Sequence, residues 1–399
     1  MAPSPAPALA LQATALAAPS PAAPNVTGKP LTIGLITDLS GSLKRYGEME
    51  VRGFGLGLEY ATQGTLVVAG RPLQVVTRDS EGKIEKAAEL ARQLIDEGAE
   101  IVQCCASSAA ALAAQEALGP SRKVLMIDPA ASPDLTGKRA ARTTFRTSRT
   151  TDQEALAAAP YFVKNAGGSF VQLAPDDAFG RQSAATWRRA VEGAGGRFVA
   201  DDLFVAPDTT EFRTVLKRAV DSKAQVFIIT WAGQGFTELF SQLVEQGVTQ
   251  QMTVATSFND NLSIRSAYGA ALGIIGPITY HYALPKNPVN DWLVTQHQRR
   301  FGAPPDIYTA GAMAAGIALV DALKKTGGGA DPDRLSAALE GLSFDSPKGR
   351  ITLRAEDHLA LQSVYIVRLK STTDPQFRFF ELLAEIQPEA SGPPVATPK

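Results

Sequence analysis

The stretch Leu31–Tyr60, LTIGLITDLSGSLKRYGEMEVRGFGLGLEY, constrains the fold more than any other part of the chain. Its apolar start reads as a buried strand, the polar Asp38-Leu39-Ser40-Gly41 turn ends that strand, and a helix opens near Tyr46-Gly47. Open α/β sheets bind ligands just outside the carboxyl ends of their strands, where helix N-termini present unpaired N–H groups. A small-molecule site built by loops is therefore predicted.

The pattern repeats. Leu73–Val76 reads as a strand, Ile84–Ile95 carries apolar residues at helical spacing, Ile101-Val102 begins a strand, Ser108–Leu118 a helix and Val124–Ile127 a strand. This β-α-β-α-β order marks a parallel sheet with helices on both faces. A second round follows, with helices at Asp152–Asn165, Arg181–Ala194, Thr210–Val220 and Phe236–Gln246. Strands are predicted between and after them at Phe170–Leu173, Phe198–Val205, Val226–Thr230 and Met252–Ala255. Beyond Gly276-Pro277 come a strand at Ile278–Tyr282 and helices at Val289–Phe301, Thr309–Lys325 and Pro332–Glu340. Strands at Ile351–Leu353, Val364–Leu369 and Phe377–Leu382 finish the chain.

The 399 residues suffice for two domains, and Lys+Arg 39 against Asp+Glu 40 leaves no basic surplus for nucleic acid, which is excluded as a partner. Seven of the 26 prolines fall in residues 1–30, where Ala8–Ala18 has the flavour of a signal-peptide core without a positive n-region. Residues 1–29 are read as a disordered leader remnant, although a plain Ala/Pro tail reads equally well. No later stretch reaches the ~18 apolar residues of a membrane helix. Cys104 and Cys105 are adjacent and are read as small buried hydrophobes without a structural disulfide.

The motifs Ile33-Gly34 to Ser40-Gly41 with Tyr46-Gly47, Arg78-Asp79, Ser107-Ser108, Pro129-Ala130-Ala131-Ser132, Phe145-Arg146-Thr147, Asp176–Gly180, and Tyr308 opening a long helix come in a telling order. The chain resembles the periplasmic solute-binding proteins of ABC importers, of the leucine/isoleucine/valine-binding type, over roughly Lys29 to Leu383. The resemblance implies an α/β fold of two doubly wound Rossmann-like lobes joined by three hinge crossings, the type I periplasmic binding protein fold. Crossings are expected near Arg149, Gly276 and Asp357. They give a first lobe of residues 30–148 plus 277–356, a second of 149–276 plus 357–386, and a disordered tail at 387–399. It further implies an extracytoplasmic, non-enzymatic monomer without cofactor, closing on a small carboxylate-bearing ligand and recognised by an ABC permease.

By resemblance, the turn at Ala106-Ser107-Ser108 binds the ligand carboxylate through a hydroxyl and backbone N–H groups. Ala130-Ala131-Ser132 supplies a carbonyl and a hydroxyl, while Tyr46, Phe179 and Trp231 form an aromatic wall. The family's amino-acid binders pair the ligand ammonium with an acid where this chain has Thr256. Either Asp260 reaches in or the ligand has no α-amino group, and the second reading is favoured because a buried ammonium without a carboxylate is expensive.

Other signals are bland. Gly53, Gly55 and Gly57 lie within a helix and lack dinucleotide-loop spacing, so close helix packing accounts for Gly53 and Gly57. Trp187 reads as core or surface. His281, His297 and His358 have no zinc-binding spacing, no metal is expected, and Asp357-His358 reads as a turn. No G-x-S-x-G elbow supports a hydrolase. A ligand sensor of the same fold, responsive to an amide or amino acid and controlling a regulator, remains the alternative.

Overall fold

The structure, a computed structural model, describes residues 25–231 and 235–395. Leu31–Thr37 is buried almost throughout, because it lies inside a parallel sheet covered on both faces. It pairs in parallel with Arg71–Asp79 on one side and Ile101–Cys104 on the other, with Ile33 opposite Val75 and Ile101. Val124–Ile127 and Thr144–Arg146 extend that sheet, and Val67–Val68 closes its far edge.

A second sheet is built on Ser169–Pro175, Val226–Ile229, Thr253–Thr256 and Ile275–Ile278, with Val364–Leu369 and Phe380–Ile386 added antiparallel. The chain passes between the two bodies three times. It leaves the first sheet after Arg146, leaves the second after Ile278, and returns between Leu361 and Val364. The last two passages differ from the positions read at Gly276 and Asp357. Ile275–Ile278 stays in the second sheet because Gly276, lacking a Cβ, admits the Thr256 carbonyl, which would sit 1.7 Å from one. Ala360–Leu361 pairs with Gly349–Leu353 in a small sheet that includes Ser343–Ser346.

The helices Lys44–Ala61 and Ile307–Lys325 pack together so closely that a Cβ on Gly53 would meet the Thr309 carbonyl at 2.1 Å, and one on Gly57 the Met313 carbonyl at 2.3 Å. The glycine spacing thus serves helix packing. Ile307–Lys325 is long and apolar enough to cross a membrane by length and composition, contrary to the sequence reading, yet it is buried nearly end to end. It is the core helix of the first lobe.

Three further readings are corrected. The strand expected over Phe198–Val205 splits into Arg197–Phe198 and Leu203–Val205, because Asp202 leaves the ladder and its carboxylate is held by Gln172 at 2.8 Å and by Arg188. Pro388–Ser391 is a helical turn rather than a free tail, since buried Ser391 donates to the Gln362 carbonyl at 2.8 Å. At the other end Thr27 and Gly28 donate their amides to Gly70, so order begins before Lys29, while residues 1–24 of the leader reading lie outside the described residues. Cys104 and Cys105 are both buried in the core of the first lobe.

Candidate functional site

The carboxyl ends of both sheets converge on one cavity of about 180 Å³. The first lobe contributes Leu43 and Tyr46, the Ala106 and Ser108 turn after Ile101–Cys104, the Pro129 and Ala131 turn after Val124–Ile127, and Tyr308. The second contributes Phe179, Ser183 and Trp187 from one helix, and the strand ends at Ile229–Trp231 and Thr256–Asn259. Arg149 enters from the first hinge passage, and Thr151 and Glu154 from the first turn of the helix Thr151–Asn165 that follows it. A groove of about 690 Å³ elsewhere between the lobes is lined by Asp134, Lys138, Asp152, Arg181 and other polar residues, and lacks aromatic walls.

Of the residues singled out from sequence, Tyr46, Ser108, Ala131, Phe179, Trp231 and Thr256 line this cavity together. Tyr46 packs on Tyr308 with ring centroids 4.5 Å apart, and Trp231 stands edge-on to Phe212 at 5.0 Å. Phe179 is 42% exposed at the opening. Ser108 Oγ accepts from the amides of Ala131 at 3.2 Å and Ser132 at 3.1 Å, so one hydroxyl ties the two turns together and keeps its proton to donate.

Ser107, Ala130, Ser132 and Asp260 do not line it, each having been claimed by a nearer partner. Ser107 caps the Ser108–Leu118 helix by accepting from Ala110. The Ala130 carbonyl accepts from Ser148 at 2.6 Å. Ser132 caps the short Pro133–Leu135 turn, and its carbonyl takes Arg146 Nη2 at 2.7 Å. Asp260 does not reach in as an ammonium partner. Its carboxylate caps the Asn261–Ala267 helix, itself missed in the sequence, and pairs with Arg45 at 3.1 Å.

Sequence reasoning missed the cavity's charged pair. Arg149 Nε donates to Glu154 Oε1 at 2.7 Å, and these are the two charged side chains in the lining. Burial raises the Glu154 pKa, with Arg149 and Ser257 pulling it back. Burial alone would lower that of Arg149, but Glu154, Tyr308 and Tyr46 outweigh it and the net shift is upward. Trp187 also turns out to line the cavity, 4% exposed, and stacks on Phe162 at 5.9 Å. The available signal was an arginine directly before a Thr-capped helix, with a glutamate in that helix's first turn.

An adjoining recess holds Asp128, Lys348 and Tyr308 beside Arg149. Burial pushes Asp128 up to about 7 against the pull of Lys348, and brings Lys348 down to about 8 against that of Asp128. Lys348 Nζ donates to the Thr147 carbonyl at 2.8 Å, fastening the third part of the chain to the first hinge passage. Among the described residues no group of three or more His, Cys, Asp or Glu is arranged to hold a metal ion.

Residues 30–374 match the family model described as periplasmic binding protein. The chain is 23% identical over 341 residues to the Leu/Ile/Val-binding protein BraC3 of Rhizobium johnstonii, covering 84% of this chain and 90% of that protein. A solved ABC-type branched-chain amino acid transporter protein from Rhodopseudomonas palustris CGA009 superposes with TM-score 0.83 at 35% identity, over 92% of this chain and 100% of the other. A solute-binding protein of an ABC transporter from Rhodopseudomonas palustris BisB5, solved with 3,4-dihydroxybenzoic acid, superposes with TM-score 0.79 at 24% identity, over 90% and 97%. At that identity the last likeness speaks for the fold.

Proposed function

This chain belongs to the periplasmic binding protein family, and we propose that it captures a small carboxylate-bearing solute between its lobes outside the cytoplasm and delivers it to an ABC permease. One observation carries the reading. A single cavity is walled by side chains of both lobes and of a hinge passage, so a ligand there contacts all three at once and favours the closed arrangement. Tyr46, Phe179, Trp187, Trp231 and Tyr308 give the cavity aromatic walls, which suit a ligand with an apolar or flat body, and hydroxyls such as those of Ser108, Ser183 and Thr256 stand among them for its polar end. The relatives are named for branched-chain amino acids and one solved neighbour holds an aromatic acid. Both ligand classes carry a carboxylate.

The test is a thermal-shift screen of the full chain with branched-chain amino acids in one set and aromatic or aliphatic carboxylates in the other, followed by small-angle scattering. A bound ligand raises the melting temperature with concentration by mass action. It is also expected to shrink the radius of gyration. A panel that yields neither effect counts against capture by closure.

A further inference from the structure

We infer that Arg149 is the residue that holds the ligand's carboxylate, and that Glu154 is its positioning residue, leaving the cleft no acid for an α-ammonium. The inference rests on the function proposed above and names the ligand class: a carboxylate without an α-amino group. Arg149 lines the cavity with its side chain 12% exposed, and its bond to Glu154 uses Nε alone. Among the described residues Nη1 and Nη2 have no hydrogen-bond partner. A guanidinium held by Nε keeps one edge of its fork for a planar carboxylate, which it meets with two parallel N–H···O bonds.

Charge balance points the same way. The Asp128 and Lys348 pair in the adjoining recess is neutral however its proton is shared, and Arg149 is offset by Glu154. An amino-acid zwitterion would bring an ammonium into a cleft whose one lining acid is already spent on Arg149, and burying it unpaired is costly. Tyr308, packed on Tyr46 beside Arg149, adds a phenol that burial keeps neutral and able to donate.

The experiment is calorimetry on the full chain with matched probes: isocaproate and hydrocinnamate, which are leucine and phenylalanine without the ammonium in outline, their carboxamides, and the two amino acids themselves. Wild type is expected to bind at least one acid, to bind its carboxamide at least 100-fold more weakly, and to prefer the acid to the amino acid. R149Q leaves Glu154 buried and unpaired, which destabilises the fold on its own account, so the decisive variant is the double R149Q/E154Q, which removes both charges. Its ligand-free melting temperature reports folding. The acid-over-carboxamide preference should vanish in the double variant and be partly retained in R149K, which keeps the charge but not the fork. A merely structural Arg149 would weaken acid and amide alike, and a double variant that keeps the preference overturns the anchor while leaving solute capture intact. Amino acids bound as tightly as the acids would overturn the assignment of Glu154. If wild type binds no acid or amino acid in the panel, the capture of a small carboxylate fails and the anchor with it.

Discussion

Arg45 on the first lobe donates through Nη2 to the buried carboxylate of Asp260 on the second at 3.1 Å, and the same nitrogen reaches Ser263 Oγ at 2.7 Å. A second tie runs alongside, from the Asn261 amide to Asp306 Oδ2 at 2.8 Å. These bonds join the two bodies beside the cavity. We expect them to favour the arrangement in which the lobes are together, independently of ligand.

Arg45→Ala is expected to shift the ligand-free protein toward open forms without unfolding it, because Asp260 keeps its helix-capping bonds. Arg45 is 40% exposed, so the effect should be about 0.5–1 kcal/mol, seen as a few-fold loss of affinity and a larger ligand-free radius of gyration. An unchanged scattering profile together with unchanged affinity would remove the latch.

The two neighbouring serines should separate cleanly. Ser108→Ala strips the acceptor shared by the Ala131 and Ser132 amides and a donor from the cavity, and is expected to weaken binding by about 1–3 kcal/mol. Ser107→Ala removes a helix cap, which costs about 1 kcal/mol of stability and little affinity. Calorimetry and chemical denaturation on both variants check this, and the reverse ranking in affinity would return the ligand contact to Ser107.

Tryptophan emission should report occupancy. Trp187 and Trp231 line the cavity, whereas Trp292 packs edge-on against Tyr60 in the first lobe. A saturating ligand is expected to change the emission of wild type and of Trp292→Phe alike. The Trp187→Phe/Trp231→Phe double variant should lose the response. A ligand signal that survives in that double variant would mean that the solute sits elsewhere.

His281 makes the native state acid-sensitive. It is buried, its Nε2 donates to the Phe377 carbonyl at 2.8 Å and its Nδ1 takes the Ala283 amide, so the neutral ring is the form that fits. Burial lowers its pKa from 6.5 to about 4. Between those values the unfolded chain binds a proton that the native state refuses, so the stability present above pH 6.5 is lost as the pH falls toward 4. The loss is up to roughly 3 kcal/mol. His281→Gln keeps a donor for Phe377 and should lose less stability over that window, measured by denaturant unfolding at stepped pH. Parallel curves for the two proteins would show that the acid limb has another source.

Much of the fold was legible because its signals are local. Ser108–Leu118, Val124–Ile127 and Val364–Leu369 lie where periodicity and capping put them, since a strand buried on both faces must be apolar throughout and a helix must expose one stripe to its sheet. Ile275–Ile278 was misread because Gly276-Pro277 looks like a break in one dimension. Only the neighbouring Thr256 carbonyl makes the glycine a strand residue.

The lining of the cavity was legible in part. The strand-end turns carrying Ser108 and Ala131 did come together with Tyr46, Phe179, Trp231 and Thr256 around one cavity. The sequence alone determined that two doubly wound units would present such turns, because strand and helix periods and the residues that end them act over a few positions. It could not tell that Asp260 would be spent on Arg45 and a helix cap, or that Arg149 and Glu154 would become the charged pair of the cleft. Those outcomes belong to the tertiary structure, since a buried polar group must be paired and its partner is whichever group the fold brings within 3 Å, however far away in the chain.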